Sequence, residues 1–312
     1  MPDGKRLLIK ITSIFAGIPL KMEGTIYDIR LKFSLTRESN NDHVNLIQRD
    51  IGGGTITKGQ IDEIAKYPNA KMLSISGLKN DTFEYLAENY GNQFEVLNFF
   101  KCPLLPDISP MEKFSNVAYI IYYWNQRATR LWDFSKTTKL VGLQFQDFSR
   151  LRDLSDLAKA DSVSELVFGN AIWTKSIFDS LQPVGKMKGL KDLSFTAKQI
   201  LDESIEGLSA LRQIKSINCS PLLFDTVQFA WLKAKLPEHV ESEVLKPCRD
   251  FGPFSRRGKN IDVQVIGKGK PTLDSQRDAK RLEKYVSEFQ LMVAYFREHV
   301  KARPNDYPII SN

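Results

Sequence analysis

Seven times between residues 70 and 219 the chain repeats one short pattern: an apolar residue, two others, a second apolar residue, one other, and a third apolar residue. The instances are Ala70-Leu73-Ile75, Phe94-Leu97-Phe99, Val117-Ile120-Tyr122, Leu140-Leu143-Phe145, Val163-Leu166-Phe168, Leu190-Leu193-Phe195 and Ile214-Ile217-Cys219. Their last members lie 24, 23, 23, 23, 27 and 24 residues apart. A period this short constrains the fold more than any other feature. No unit of that size buries an apolar face alone, so each must stack on its neighbours.

Alternation within each instance predicts a short strand, with side chains such as Leu143 and Phe145 pointing inward and their neighbours pointing to solvent. Between strands, Leu151-Leu154-Leu157 and Ile205-Leu208-Leu211 space apolar residues by three, which suits short helical or 3₁₀ turns on an outer, convex side. In pattern and period the segment of about residues 60–225 resembles the leucine-rich-repeat superfamily. The resemblance implies an α/β fold: a curved solenoid with a parallel inner sheet and short helices or 3₁₀ turns outside. It also implies a ladder asparagine three positions beyond the last apolar residue. Asn125 matches it and Cys102 is an accepted substitute, whereas Leu78, Phe148, Ala171, Lys198 and Leu222 depart from it.

Terminal units need caps, since a bare end would expose core and an unpaired sheet edge. The expected organisation is an N-terminal capping region over 1–58, a solenoid over 59–245, and a linker with a C-terminal strand and helix over 246–312. At the front, alternation of Ile29, Leu31, Phe33 and Leu35 reads as a strand, with Leu7, Ile9 and Ile11 as its partner. Thr57-Lys58-Gly59-Gln60 forms a capping box for a helix over about 59–65. At the back, Pro247 to Asn260 reads as a loop, and Ile261, Val263 and Val265 as a strand. A helix follows from Ser275 to about Lys301, with the stripe Leu282, Tyr285, Val286, Phe289, Val293, Phe296 and Val300.

Composition narrows the function classes. With 42% hydrophobic and 26% charged residues, the 312-residue chain is a folded protein, not a disordered one. Three widely spaced cysteines, Cys102, Cys219 and Cys248, support neither a disulfide framework nor a zinc site, and point to cytoplasmic residence. Residues 11–20 behind Lys5 and Arg6 faintly resemble a secretory leader, but Lys10 and Lys21 interrupt it and no small-residue cleavage site follows. No run approaches the ~18 apolar residues of a membrane helix.

An enzyme needs convergent polar groups, and the usual signatures are missing. His43, His239 and His299 share no metal-ligand spacing. Gly52-Gly53-Gly54-Thr55 lacks the Gly-Lys-Ser/Thr ending of a phosphate loop and reads as a turn. Cys102 and Cys219 sit at inward positions, where a thiol is a packing group. No catalysis, metal or cofactor is expected.

The register instead directs Phe100, Tyr119, Ile121 and Tyr123 onto the concave face, with Trp124 at its edge and Gln144, Gln146 and Glu165 as a polar surround. Clustered aromatics anchor protein interfaces because a ring buries much area at small entropy cost. The expected function is therefore a noncatalytic scaffold for a protein partner, an inhibitor or immunity-type protein blocking a toxin or enzyme being a more specific form of it. The competing possibility at the cluster is burial under the N-terminal cap. A second class is nucleic-acid binding through Arg256, Arg257, Lys259, Lys268 and Lys270, given a net charge of +7.

Overall fold

The computed structural model describes residues 25–35, 38–171, 175–256 and 259–308. One period yields one strand throughout the repeat region. The seven strands are β2 (Met72–Ile75), β3 (Val96–Phe100), β4 (Tyr119–Asn125), β5 (Gly142–Phe148), β6 (Glu165–Gly169), β8 (Asp192–Thr196) and β10 (Ser216–Asn218). An eighth, β1 (His43–Leu46), precedes them, and the sheet order is β1-β2-β3-β4-β5-β6-β8-β10, all parallel. A short parallel pair, β7 (Ile177–Phe178) and β9 (Gln199–Ile200), lies outside this sheet. The architecture is a leucine-rich-repeat-type α/β solenoid.

The register is the one the pattern dictates. Leu73, Leu97, Ile120, Leu143, Leu166, Leu193 and Ile217 are all buried, in one continuous core. Behind them runs an aromatic spine, in which Phe99, Tyr122, Phe145, Phe168 and Phe195 occupy equivalent positions on successive strands. Ring centroids lie 5.5 Å apart between Phe145 and Phe168 and 5.3 Å between Phe168 and Phe195, both pairs stacked. That spacing follows from the ~4.8 Å between neighbouring strands, which holds like rings at stacking distance.

Each strand end needs a pivot to return the chain to the core. The residue two places after the last inward one adopts the left-handed conformation in four successive units: Gly77 (φ 71), Lys101 (φ 60), Trp124 (φ 68) and Asp147 (φ 57). The next residue then points inward again, so Leu78, Cys102, Asn125 and Phe148 are buried. Asn125 shows why an amide serves at that place. Its Nδ2 donates to the Leu105 carbonyl at 2.9 Å, and its Oδ1 accepts from the amides of Arg127 and Ala128, both at 2.8 Å. A buried turn whose backbone groups have no strand partner is thereby satisfied.

Convex segments are short. The capping box forms as expected, with Gln60 N donating to Thr57 Oγ1 at 3.3 Å and Thr57 N to Gln60 Oε1 at 2.9 Å, and opens α2 (Lys58–Ile61) before a 3₁₀ turn over Asp62–Lys66. One full helix, α3 (Asn80–Tyr90), follows β2. Later connections are 3₁₀ turns, among them Ser155–Lys159 and Glu206–Ala210 in the segments marked by three-residue spacing, apart from one α-helical turn at Gln182–Gly185.

Both ends differ from expectation. Residues 26–35 form a helix, α1 (Ile26–Leu35), and not a strand. Thr25 and Asp28 start it: Thr25 Nα donates to Asp28 Oδ2 at 2.8 Å while the Asp28 amide reaches back to Thr25 Oγ1 at 3.3 Å. Ile26 and Ile29, three apart, then share a helix face, which defeats the period-two pattern of Ile29 to Leu35. The expected partner residues Leu7, Ile9 and Ile11, like the leader-like stretch 11–20, lie outside the described residues. Among the described residues the edge strand of the sheet is β1, whose pattern is hidden because Asn41 stands where an apolar residue would begin the unit.

At the back, the stretch Pro247 to Asn260 is not a linker. It contributes β11 (Cys248–Arg256), which pairs antiparallel with β12 (Lys259–Val265), and β13 (Thr272–Leu273) completes the small sheet. The pairing slips between Asp250 and Phe254, where Gly252 takes φ 79 and Pro253 follows. Phe251 and Phe254 are exposed, so no buried face imposes alternation on this strand, and its sequence resembles a loop. The last helix, α5 (Ala279–Glu298), buries Phe289 and Phe296 against α4 (Thr226–Lys235). It ends before Val300, which is 73% exposed and outside the stripe. No helix among the described residues is long and apolar enough to cross a membrane.

Candidate functional site

Strand pairing arranges the concave side chains in three rows across the sheet. The row at the strand starts runs His43, Met72, Val96, Tyr119, Gly142, Glu165 and Asp192. A middle row runs Asn45, Ser74, Asn98, Ile121, Gln144, Val167 and Ser194, and the row at the strand ends runs Phe100, Tyr123, Gln146, Gly169 and Thr196. All eight expected partner-binding residues thus come together on β3 to β6, with Trp124 at the pivot beside Tyr123.

The first row is covered from His43 to Gly142, half-covered at Glu165 and open at Asp192. Helix α1 lies on it, and Ile26 and Ile29 form an apolar cluster with Met72, Val96, Tyr119 and Ile121, on the opposite side of the sheet from the solenoid core. Tyr119 and Ile121 are 6% and 5% exposed, so burial under the N-terminal segment is their state. Ile26 N donates to Glu165 Oε2 at 2.8 Å. Burial pushes the Glu165 carboxyl above the usual carboxylate range, the Ile26 amide opposing that and the Asp192 and Asp28 charges adding to it. Gly142 leaves the room this needs: a Cβ there would stand 2.5 Å from the Tyr119 ring and 3.1 Å from Ile26 Cγ1.

The strand-end row is partly open. Phe100 and Tyr123 stack at 5.7 Å with an 18° interplanar angle, both half-buried, and Lys101 Nζ sits 5.0 Å over the Phe100 ring. Trp124 and Gln146 are also half-buried, and Thr196 further along is exposed, as is Asn218 at the end of the middle row. Gln144 Nε2 donates to Gln146 Oε1 at 2.6 Å, while Gln144 Oε1, buried, has no hydrogen-bond partner.

Sequence reasoning missed a polar knot at the first strands. His43 Nε2 and Ser74 Oγ are 2.9 Å apart, and Asn98 Nδ2 donates to the same hydroxyl at 3.1 Å. A Ser–His contact is a nucleophile motif elsewhere, but His43 and Ser74 are 2% and 1% exposed, which denies a substrate the hydroxyl. Burial also lowers the His43 pKa to about 4. Cys102 and Cys219 are pushed up to about 12 by burial, far from a thiolate nucleophile. Among the described residues, no three His, Cys, Asp or Glu side chains converge as a metal site would need.

The basic set is divided. Arg256 and Lys259 are paired at the adjoining ends of β11 and β12, and Arg257 lies outside the described residues. Lys268 and Lys270 follow the other end of β12, about 20 Å away at ~3.3 Å per residue. There Lys268 pairs with Glu203 at 3.5 Å and Lys270 lies 5.1 Å over the Tyr285 ring.

No protein-family model matches the chain, and no curated protein matches it. Among solved structures it is similar to an internalin of Listeria monocytogenes, at 17% identity and a TM-score of 0.44, over 65% of this chain and 52% of that one. It is also similar to a leucine-rich-repeat protein of Leptospira interrogans, at 14% identity and a TM-score of 0.41, over 64% and 53% of the two chains. A third is the TLR13–ssRNA13 complex, at 16% identity and a TM-score of 0.35, over 61% and 24%. The chain spans about half the length of the first two.

Proposed function

We propose that this chain is a noncatalytic scaffold that binds a protein partner through the concave face of its solenoid. The observation that carries the reading is the half-exposed Phe100–Tyr123 stack beside Trp124, bordered by Gln146 and continuous with the polar strand ends of later units. Rings held in place by stacking lose little freedom on association, and a solenoid presents them on a rigid sheet. The free thiols of Cys102, Cys219 and Cys248 support a reducing, cytoplasmic setting. The separation of the basic residues gives nucleic-acid binding no comparable support.

An affinity pull-down with the intact chain and a Phe100→Ala/Tyr123→Ala variant tests the reading. Loss of a buried aromatic anchor costs at least about 2 kcal/mol, roughly thirtyfold in affinity, whereas Gln146→Ala should cost under about 1 kcal/mol. A folded double variant that retains every partner at full strength would move the site off this face.

A further inference from the structure

We propose that the strand-start row of the concave face is a groove for an amphipathic helix of a protein partner, and that α1 fills this groove in the free chain. The proposal rests on the concave face being a protein-binding surface, and adds the kind of partner and the step that admits it.

The occupant is argued from the one already seated. The row accepts a helix that presents two isoleucines three residues apart, Ile26 and Ile29, while Tyr27 on the same helix stays 63% exposed. Its surface is made for that shape. Gly142 leaves a hollow where Ile26 meets the Tyr119 ring, and the Glu165 carboxylate stands where a helix start offers unpaired amides. From β6 to β2 there are four strand steps of ~4.8 Å, about 19 Å, whereas the ten residues of α1 extend about 15 Å. A partner helix of about thirteen residues would use the whole groove.

Release of α1 leaves the solenoid core untouched, because the cluster under the helix is separate from that core. A ten-residue helix is marginal by itself and belongs to the least stable parts of a fold. It holds its place largely through tethering, since attachment just ahead of β1 gives it an effective concentration in the millimolar range. A partner helix must outcompete that, and its apparent affinity falls by the fraction of chains whose groove is open.

The test uses the full chain and a labelled peptide of its own residues 25–35 as the helical probe. An Ile26→Asp/Ile29→Asp variant should bind the peptide at least tenfold more tightly than the unaltered chain, and adding Tyr119→Asp should abolish binding. Circular dichroism and the melting temperature report whether the variant's solenoid is folded. In the unaltered chain, amides of 26–35 should exchange at least a hundredfold faster than those of β4. Equal peptide affinities, no binding to a folded variant, or exchange of α1 only by global unfolding would each overturn the proposal. So would a concentration-dependent dimer that the variant loses, because the occupant would then be α1 of a second copy. Failure here with Phe100→Ala/Tyr123→Ala still abolishing capture of a partner would discard the groove and leave the wider reading standing.

Discussion

The backbone amide of Ile26 donates to the carboxylate of Glu165, 139 residues later in the chain, at 2.8 Å. A carboxylate at a helix start satisfies an otherwise unpaired amide and complements the helix dipole, so a repeat strand sets where the first helix begins. Glu165→Ala should weaken α1 docking by about 1–2 kcal/mol. The readout is faster amide exchange over 26–35 with an unchanged midpoint of global unfolding. Unaltered protection would mean that Ile26 and Ile29 hold the helix unaided.

Phe168 stacks on both Phe145 and Phe195 and is fully buried. Phe168→Ala should therefore cost about 3–5 kcal/mol in urea unfolding. Phe254→Ala, at a ring 58% exposed, should fall within about 0.5 kcal/mol of zero. Similar losses at both positions would contradict the spine.

Asn125 is completely buried and serves two amides of its own turn and the Leu105 carbonyl of the preceding unit. Asn125→Leu keeps the heavy-atom count and branching but strands those groups, at an expected cost of about 2–4 kcal/mol. A neutral result would show that the turn finds other partners.

His43 carries a pH dependence with a definite sign. Its pKa drops from 6.5 to about 4 on burial, so between those values the unfolded chain binds a proton that the folded chain refuses. Stability is complete above pH 6.5 and declines as the pH falls towards 4, by at most about 3 kcal/mol. Denaturant unfolding at about pH 7 and about pH 4.5 should show a larger acid loss for the unaltered chain than for His43→Gln. Equal losses would assign the acid sensitivity to other groups.

The C-terminal helix gives a paired comparison. Phe289 is buried against the end of the solenoid, whereas Leu291 is 62% exposed. Phe289→Ala should cost about 3–5 kcal/mol and Leu291→Ala almost nothing, measured by thermal or urea unfolding. An unfolding curve unmoved by Phe289→Ala would make the helix a separate module.

Local sequence determined the inward set from Leu73 to Ile217, the burial of the spine and the convex 3₁₀ turns, because a period near 24 residues leaves stacked parallel strands as the way to bury every unit. The resemblance to the leucine-rich-repeat pattern also marked Asn125, whose amide the structure uses as both donor and acceptor in a buried turn. Tertiary structure decided what covers the concave face. The pattern of Ile29 to Leu35 fits a strand and a helix alike, and only a waiting surface of Tyr119, Ile121 and Glu165 selects the helix. It likewise decided β11, whose exposed faces carry no alternation and whose pairing comes from backbone hydrogen bonds to β12. The direction of each side chain was written locally, but whether Tyr119 meets solvent or Ile26 depended on a contact between segments more than ninety residues apart.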